Sequence, residues 1–293
     1  MTTLDTFLDQ AWSDHADHAP DVAARLPEAL PLVADDNGVM RLAALAHHVF
    51  GEHLGHWQDG LTFLAQLSER AVFGADGTAS IARCQASLRL CSGETDQRAA
   101  LTASDQCRVT SMAASNLAAL NSQRSAELLH DAVTRASALP DADPGVRALA
   151  ANSNNIAGTL QELASRTAQQ RELMVHAAQV ARAQWERAGT WLEVERAEYR
   201  LALCWLAAGD PAQALHHTRN CESIVQQNGS EPLEVFFASE ALCLCARALG
   251  DTAVHSGAVA TAQQAFEALP SDDQAWCRAT LDSMTHTSGI NPP

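Results

Sequence analysis

Residues 47 to 56 read HHVFGEHLGH, four histidines and a glutamate within ten positions. Neutral imidazoles and a carboxylate hold zinc, iron or manganese, and a zinc-bound water is a nucleophile near neutral pH, so the chemistry on offer is metal-assisted hydrolysis. The spacing argues against it. The nearest catalytic pattern, H-x-x-E-H, needs histidine at position 49 to partner Glu52 and His53, and Val49 stands there. On an α-helix at about 100° per residue, with Leu42 at zero, His53 falls near about 20°, His47 near about 140° and His48 near about 240°. Three directions do not converge on one ion. His48, Glu52 and His56 are four apart and remain the metal candidates, but Gly55 ends the helix before His56, and the expectation is no metal and no cofactor. His15 and His18 share a side with one turn between them, and His216 and His217 lie on different sides of a helix. Both pairs read as surface histidines.

Composition removes other chemistries. All 19 basic residues are arginine. Without lysine there is no P-loop, no Schiff base with pyridoxal phosphate and no kinase motif. G-x-G-x-x-G, G-x-S-x-G and H-E-x-x-H are also missing from the sequence. The net charge of −16 disfavours nucleic acid, because neutralising phosphates takes a basic face. Residues 1 to 60 hold ten acidic side chains against Arg25 and Arg41, which points to a basic protein surface as partner. The N-terminus carries acids where a signal peptide carries positive charge, and no apolar run approaches the length of a membrane span, so the expectation is a cytoplasmic protein with no membrane contact. The eight cysteines contain no C-x-x-C pair and sit among apolar neighbours, as reduced thiols in a core do.

The elements that would position these residues are helices. Alanine dominates, and aromatics are 5% of the chain. In RAEYRLALCWLAAGDPAQALHHTRNCESIVQQ, residues 196 to 227, Leu201, Cys204, Trp205 and Ala208 recur at i, i+3, i+4 and i+7. Gly209 then ends a helix, Asp210 caps the next, and Pro211 takes its first position. LGHWQDGL repeats this punctuation with Gly55, Trp57, Gly60 and Leu61 in register with Gly209, Pro211, Ala214 and Leu215. His18 with Pro20, Gly93, Ser165 and Gly250 with Asp251 mark further turns. Spacings of roughly 37 to 44 residues mean stacked helix pairs. Thr190 with Glu193 and Ser271 with Gln274 read as capping boxes, and Asp143-Pro144 as a helix start.

On these residues the chain resembles the tetratricopeptide-repeat (TPR) family, in its longer-period bacterial form. The resemblance is good at 42 to 67 and 196 to 227, fair at 144 to 190 and 231 to 268, and weakest at 72 to 138. It implies an all-α, right-handed superhelical solenoid of antiparallel helix pairs, about seven pairs plus a C-terminal helix. The whole of 1 to 286 reads as one domain, with 287 to 293 as a disordered tail. The sequence departs from the family at His48, where a small residue is expected, and at Gly51, where a bulky one is. Residues 93 to 121 are short for a full repeat, so one helix there is expected to be truncated.

The resemblance also implies a non-enzymatic interaction module, a scaffold or adaptor binding a peptide or helix in its concave groove. Arg196 and Arg200, four apart with Tyr199 beside them, resemble the family's carboxylate clamp, with Asn155 and, one turn earlier, Asn152 as the matching asparagines. Asparagine would hold an extended peptide backbone, and arginine the carboxylate. The lysine-asparagine pair that completes the family's clamp is absent. Two other readings are a regulatory sensor holding a small ligand or signalling peptide inside the superhelix, and a metal-dependent enzyme using the N-terminal histidines. On an ordinary solvated face, Arg196 and Arg200 would instead pair with Glu193 and Glu195.

Overall fold

The computed structural model describes residues 3–69, 74–94 and 98–285. The expected tail at 287 to 293 lies outside the described residues. Among those described there are fourteen α-helices and no strands. They divide into two compact units, residues 1 to 156 and 157 to 293.

The first unit begins with α1 (Leu4–Asp14) and α2 (Ala19–Ala29), followed by α3 (Asp36–His47), a π-helical turn (His48–His53) and α4 (Trp57–Glu69). Next come α5 (Ala75–Ser92), α6 (Ala103–Leu117), α7 (Ser122–Ala136) and the start of α8 (Pro144–Glu162). The expected truncation is present: where α5 should have an antiparallel partner, the described residues hold a single 3-10 turn, Arg98–Ala100. α5 therefore packs directly on α6 as well as on α3 and α4. Arg98, the first residue of that turn, is buried and donates to Thr110 Oγ1 at 2.6 Å and Asp131 Oδ2 at 2.7 Å. Leu42, Leu45, Leu64, Leu67 and Leu88 are fully buried in the core of this unit.

The second unit takes the rest of α8, then α9 (Ala168–Ala188), α10 (Trp191–Ala208), α11 (Pro211–Gln227), α12 (Pro232–Leu249), α13 (Thr252–Glu267) and α14 (Ser271–Thr285). Phe236 is fully buried and packs with Phe266, Leu269, Cys277 and Leu281. Of the seven expected helix pairs, five pack within one unit or the other, α1 with α2, α3 with α4, α6 with α7, α10 with α11 and α12 with α13, and the one opened by α5 lacks its second helix among the described residues.

The punctuation reads as expected. Gly209 sits at φ +85° in the left-handed region, and Asp210 Oδ1 accepts from Gln213 N at 3.0 Å. Gly55, Gly93 and Gly250 share that left-handed conformation. Gly60 corresponds to Ala214 because space is short: a Cβ there would stand 2.7 Å from Leu88 Cδ1. Thr190 and Glu193 form the capping box, and α8 starts at Pro144 with Asp143 accepting from Gly145 N. One expectation fails. Ser271 is the first helical residue rather than the cap, and Gln274 donates to the Leu269 carbonyl instead.

All eight cysteines are free, and seven are buried. Burial pushes the Cys84 and Cys204 thiols up to about 12, which leaves them inert. No helix is long and apolar enough to cross a membrane among the described residues.

Candidate functional site

α3, the π turn, α5, α6 and α8 surround a cavity of about 220 Å³ in the first unit. Each contributes polar side chains to it: His47 and His48, Arg83, Arg108 and Asn116, and Asn152 with Asn155. Arg83 on α5 and Arg108 on α6 both reach Asp105 Oδ1, at 3.2 and 3.4 Å. Two guanidinium groups thus share one carboxylate in a partly buried site. Burial, and then the charge of Arg83, lower the pKa of Arg108. A second carboxylate entering the cavity would offset that repulsion. Asn152 stands on the wall and donates to Ser111 Oγ at 2.9 Å. Two of the residues expected in a peptide groove, Asn152 and Asn155, therefore line this cavity.

The other expected groove residues have partners inside the second unit. Arg196 holds Glu234 through two nitrogens, Nη2 at 2.6 Å and Nε at 3.3 Å. Tyr199 donates to Glu240 at 2.7 Å, and Arg200 donates to Gln161. Glu193 and Glu195, the acids the sequence offers beside these arginines, are used elsewhere: Glu193 caps Thr190, and Glu195 accepts from Cys221.

The π turn changes the histidine geometry. A π-helix takes about 4.4 residues per turn and bonds i to i+5, as Leu54 N does to Val49 O at 3.1 Å. Residues five apart then share a face, and His48 and His53 do so, with their Nε2 atoms 3.0 Å apart. The expectation that these histidines diverge is thus overturned for this pair, because it assumed α-helical winding through position 53. His15, at the end of α1, completes a cluster whose ligand atoms all lie within 4.8 Å of one another. His56 lies apart, 3.5 Å from Asp59, so the expected candidate set of His48, Glu52 and His56 is not brought together.

His48 and Gly51, the two positions that depart from the repeat pattern expected from the sequence, fall inside this turn. His47 is buried, and burial pulls its pKa down to about 4, so it is neutral. Its Nε2 faces Asn116 Nδ2 at 3.1 Å and Ser87 Oγ at 3.0 Å. Glu52 faces His48 Nδ1 at 3.0 Å. Burial pushes the Glu52 carboxyl up, yet the hydrogen bond from His48 and the charges of the nearby histidines outweigh it and hold it below its usual range.

Sequence reasoning missed Arg83, Arg108 and Asn116, all in the stretch with the weakest repeat pattern. Compared with known proteins, the chain matches no family model, and no curated protein matches it significantly.

Proposed function

We propose that this chain is a non-enzymatic binding module of TPR type, a right-handed solenoid acting as scaffold or adaptor, that takes a carboxylate-bearing peptide on its concave side. The observation that carries the reading is the sharing of Asp105 by Arg83 and Arg108 across two adjacent helices. Each arginine brings five N–H donors, and its bond to Asp105 uses one nitrogen, so a fork remains for a second carboxylate. Asn152 and Asn155 supply amides of the type that pair with an extended backbone. A cavity of about 220 Å³ suits a C-terminal carboxylate or an acidic side chain better than a whole drug-sized ligand. The acidic exterior would steer the basic parts of such a partner toward the site.

The test is a set of immobilised random peptides with free or amidated C-termini, probed with the full chain and with Arg83→Gln/Arg108→Gln. Binding to free C-termini that falls at least tenfold on amidation, and is lost in the double variant, supports the reading. Binding indifferent to both changes overturns it. A parallel Arg196→Glu/Arg200→Glu variant distinguishes this cavity from the groove expected from the family clamp. A sensor of small carboxylates would instead show thermal stabilisation by free acetate or citrate without peptide binding.

A further inference from the structure

His15, His48 and His53 come from two places in the sequence and meet at one point. Their ring centroids are 4.9 Å apart for His15 and His48, 5.1 Å for His15 and His53, and 4.6 Å for His48 and His53. Hydrogen bonds already fix which nitrogens face inward. His15 Nδ1 bonds to the Trp12 carbonyl at 2.6 Å, which makes Nδ1 the protonated nitrogen and leaves Nε2 as the lone pair. His48 Nδ1 faces the Glu52 carboxylate at 3.0 Å, so it too presents Nε2. Nε2 is also the inward atom of His53.

From this geometry we infer a site for a divalent first-row transition ion of the zinc, nickel and copper group, held by the Nε2 atoms of His15, His48 and His53. Imidazole nitrogens suit these ions, whereas calcium and magnesium take oxygen ligands. Ligands about 2.0 to 2.1 Å from a tetrahedral ion lie about 3.3 Å from one another. The His48 and His53 nitrogens, at 3.0 Å, are close to that separation, and the His15 ligand atom lies within 4.8 Å of both. The outer partners are of the kind metal-bound histidines use: a carboxylate behind His48 and a backbone carbonyl behind His15. Glu52 is a positioning residue here, since its bond to Nδ1 orients the His48 ring. Trp12 covers one side, its ring 5.3 Å from that of His48. Three imidazoles leave a fourth position for water or an outside ligand. A bound ion would join the end of the first helix to the turn between the third and fourth. The inference does not depend on peptide binding at the arginine pair.

The test uses the full chain made without a histidine tag, stripped with chelator and titrated with zinc. About one equivalent binding tighter than about 1 µM is expected. His15→Gln and His53→Gln should each weaken it at least tenfold, and Glu52→Gln by about 10 to 100-fold. His18→Gln and His56→Gln should leave it unchanged, and far-ultraviolet circular dichroism shows that each variant is folded. Cobalt in place of zinc should give the visible absorption of a tetrahedral nitrogen site, lost in His15→Gln. Less than a tenth of an equivalent of zinc in the natural chain overturns the inference, as does undiminished affinity in folded His15→Gln and His53→Gln.

Discussion

Asn116 occupies the space that Gly51 leaves open: a Cβ built on Gly51 would lie 2.6 Å from the Asn116 amide nitrogen. That nitrogen is the one facing His47, so the missing side chain at 51 and the amide at 116 form a single packing solution. Gly51→Ala must push Asn116 off His47 or distort the π turn. Denaturant unfolding should show a loss of about 1 to 3 kcal/mol, the usual range for overpacking a filled site. In an Asn116→Ala background the same change should cost less, by about 0.5 kcal/mol or more of coupling. Equal losses in both backgrounds would disprove the contact.

Glu195 and Glu198 in α10 respond to pH in opposite ways. Burial, and the Glu234 carboxylate beside it, push Glu195 up to about 8, against the opposing hydrogen bond from Cys221. A carboxyl whose folded pKa is raised contributes stability that is complete below its unfolded value. That contribution drains away as the pH rises from about 4.5 to about 8 and is gone above. Burial raises Glu198 as well, but its bonds from His217 at 2.7 Å and Arg182 at 2.9 Å outweigh burial and lower it. Its contribution is present above the ordinary carboxylate range and is lost as acid protonates it. Thermal unfolding should therefore find the second unit most stable near mildly acid pH. Glu195→Gln, which keeps the shape without the charge, should flatten the fall between pH 5 and 8. An unchanged slope would place the titration elsewhere.

Two glycines with open surroundings should give opposite signs. A Cβ on Gly209 or on Gly257 meets no atom within 4 Å, so neither substitution is decided by packing. Gly209 has φ +85°, where an alanine is strained, and Gly209→Ala should cost about 1 kcal/mol. Gly257 lies inside α13, where alanine is the better helix former, and Gly257→Ala should add about 0.5 to 1 kcal/mol. Chemical denaturation of the two variants under one condition checks both signs.

The helix pairs were readable because their signals are local. Gly209, Asp210 and Pro211 carry a turn, a cap and a start within three residues, and the matching register from Gly55 to Leu61 and the Gly250-Asp251 pair revealed the repeat. The truncated pair after α5 was readable from length alone. The partners of Arg196 and Arg200 were not, since Glu234 and Gln161 lie 38 and 39 residues away, and nothing nearby marks them. Arg83 and Arg108 were hidden for a related reason: the weak repeat signal between 72 and 138 gave no register from which to tell inward from outward positions. The histidine cluster escaped because a helical wheel presumes one winding throughout. His15 joins it through tertiary packing that no spacing rule contains.

The π turn between His48 and His53 holds one residue more than an α-helical turn would, as an insertion does. Removing one residue there, for example Val49, would return the backbone to ordinary winding, and because the wide turn had already absorbed the extra residue, the segments on either side would keep nearly the same rotation relative to each other. His48 and His53 would then stand four residues apart and still share a face, about 40° from each other on ordinary winding, while the turn at Gly55 and the packing of Trp57 and Gly60 would keep their own local pattern. The extra residue and the wide winding cancel each other: losing both together would leave the two histidines on one face, whereas losing the winding alone would turn them about 140° apart.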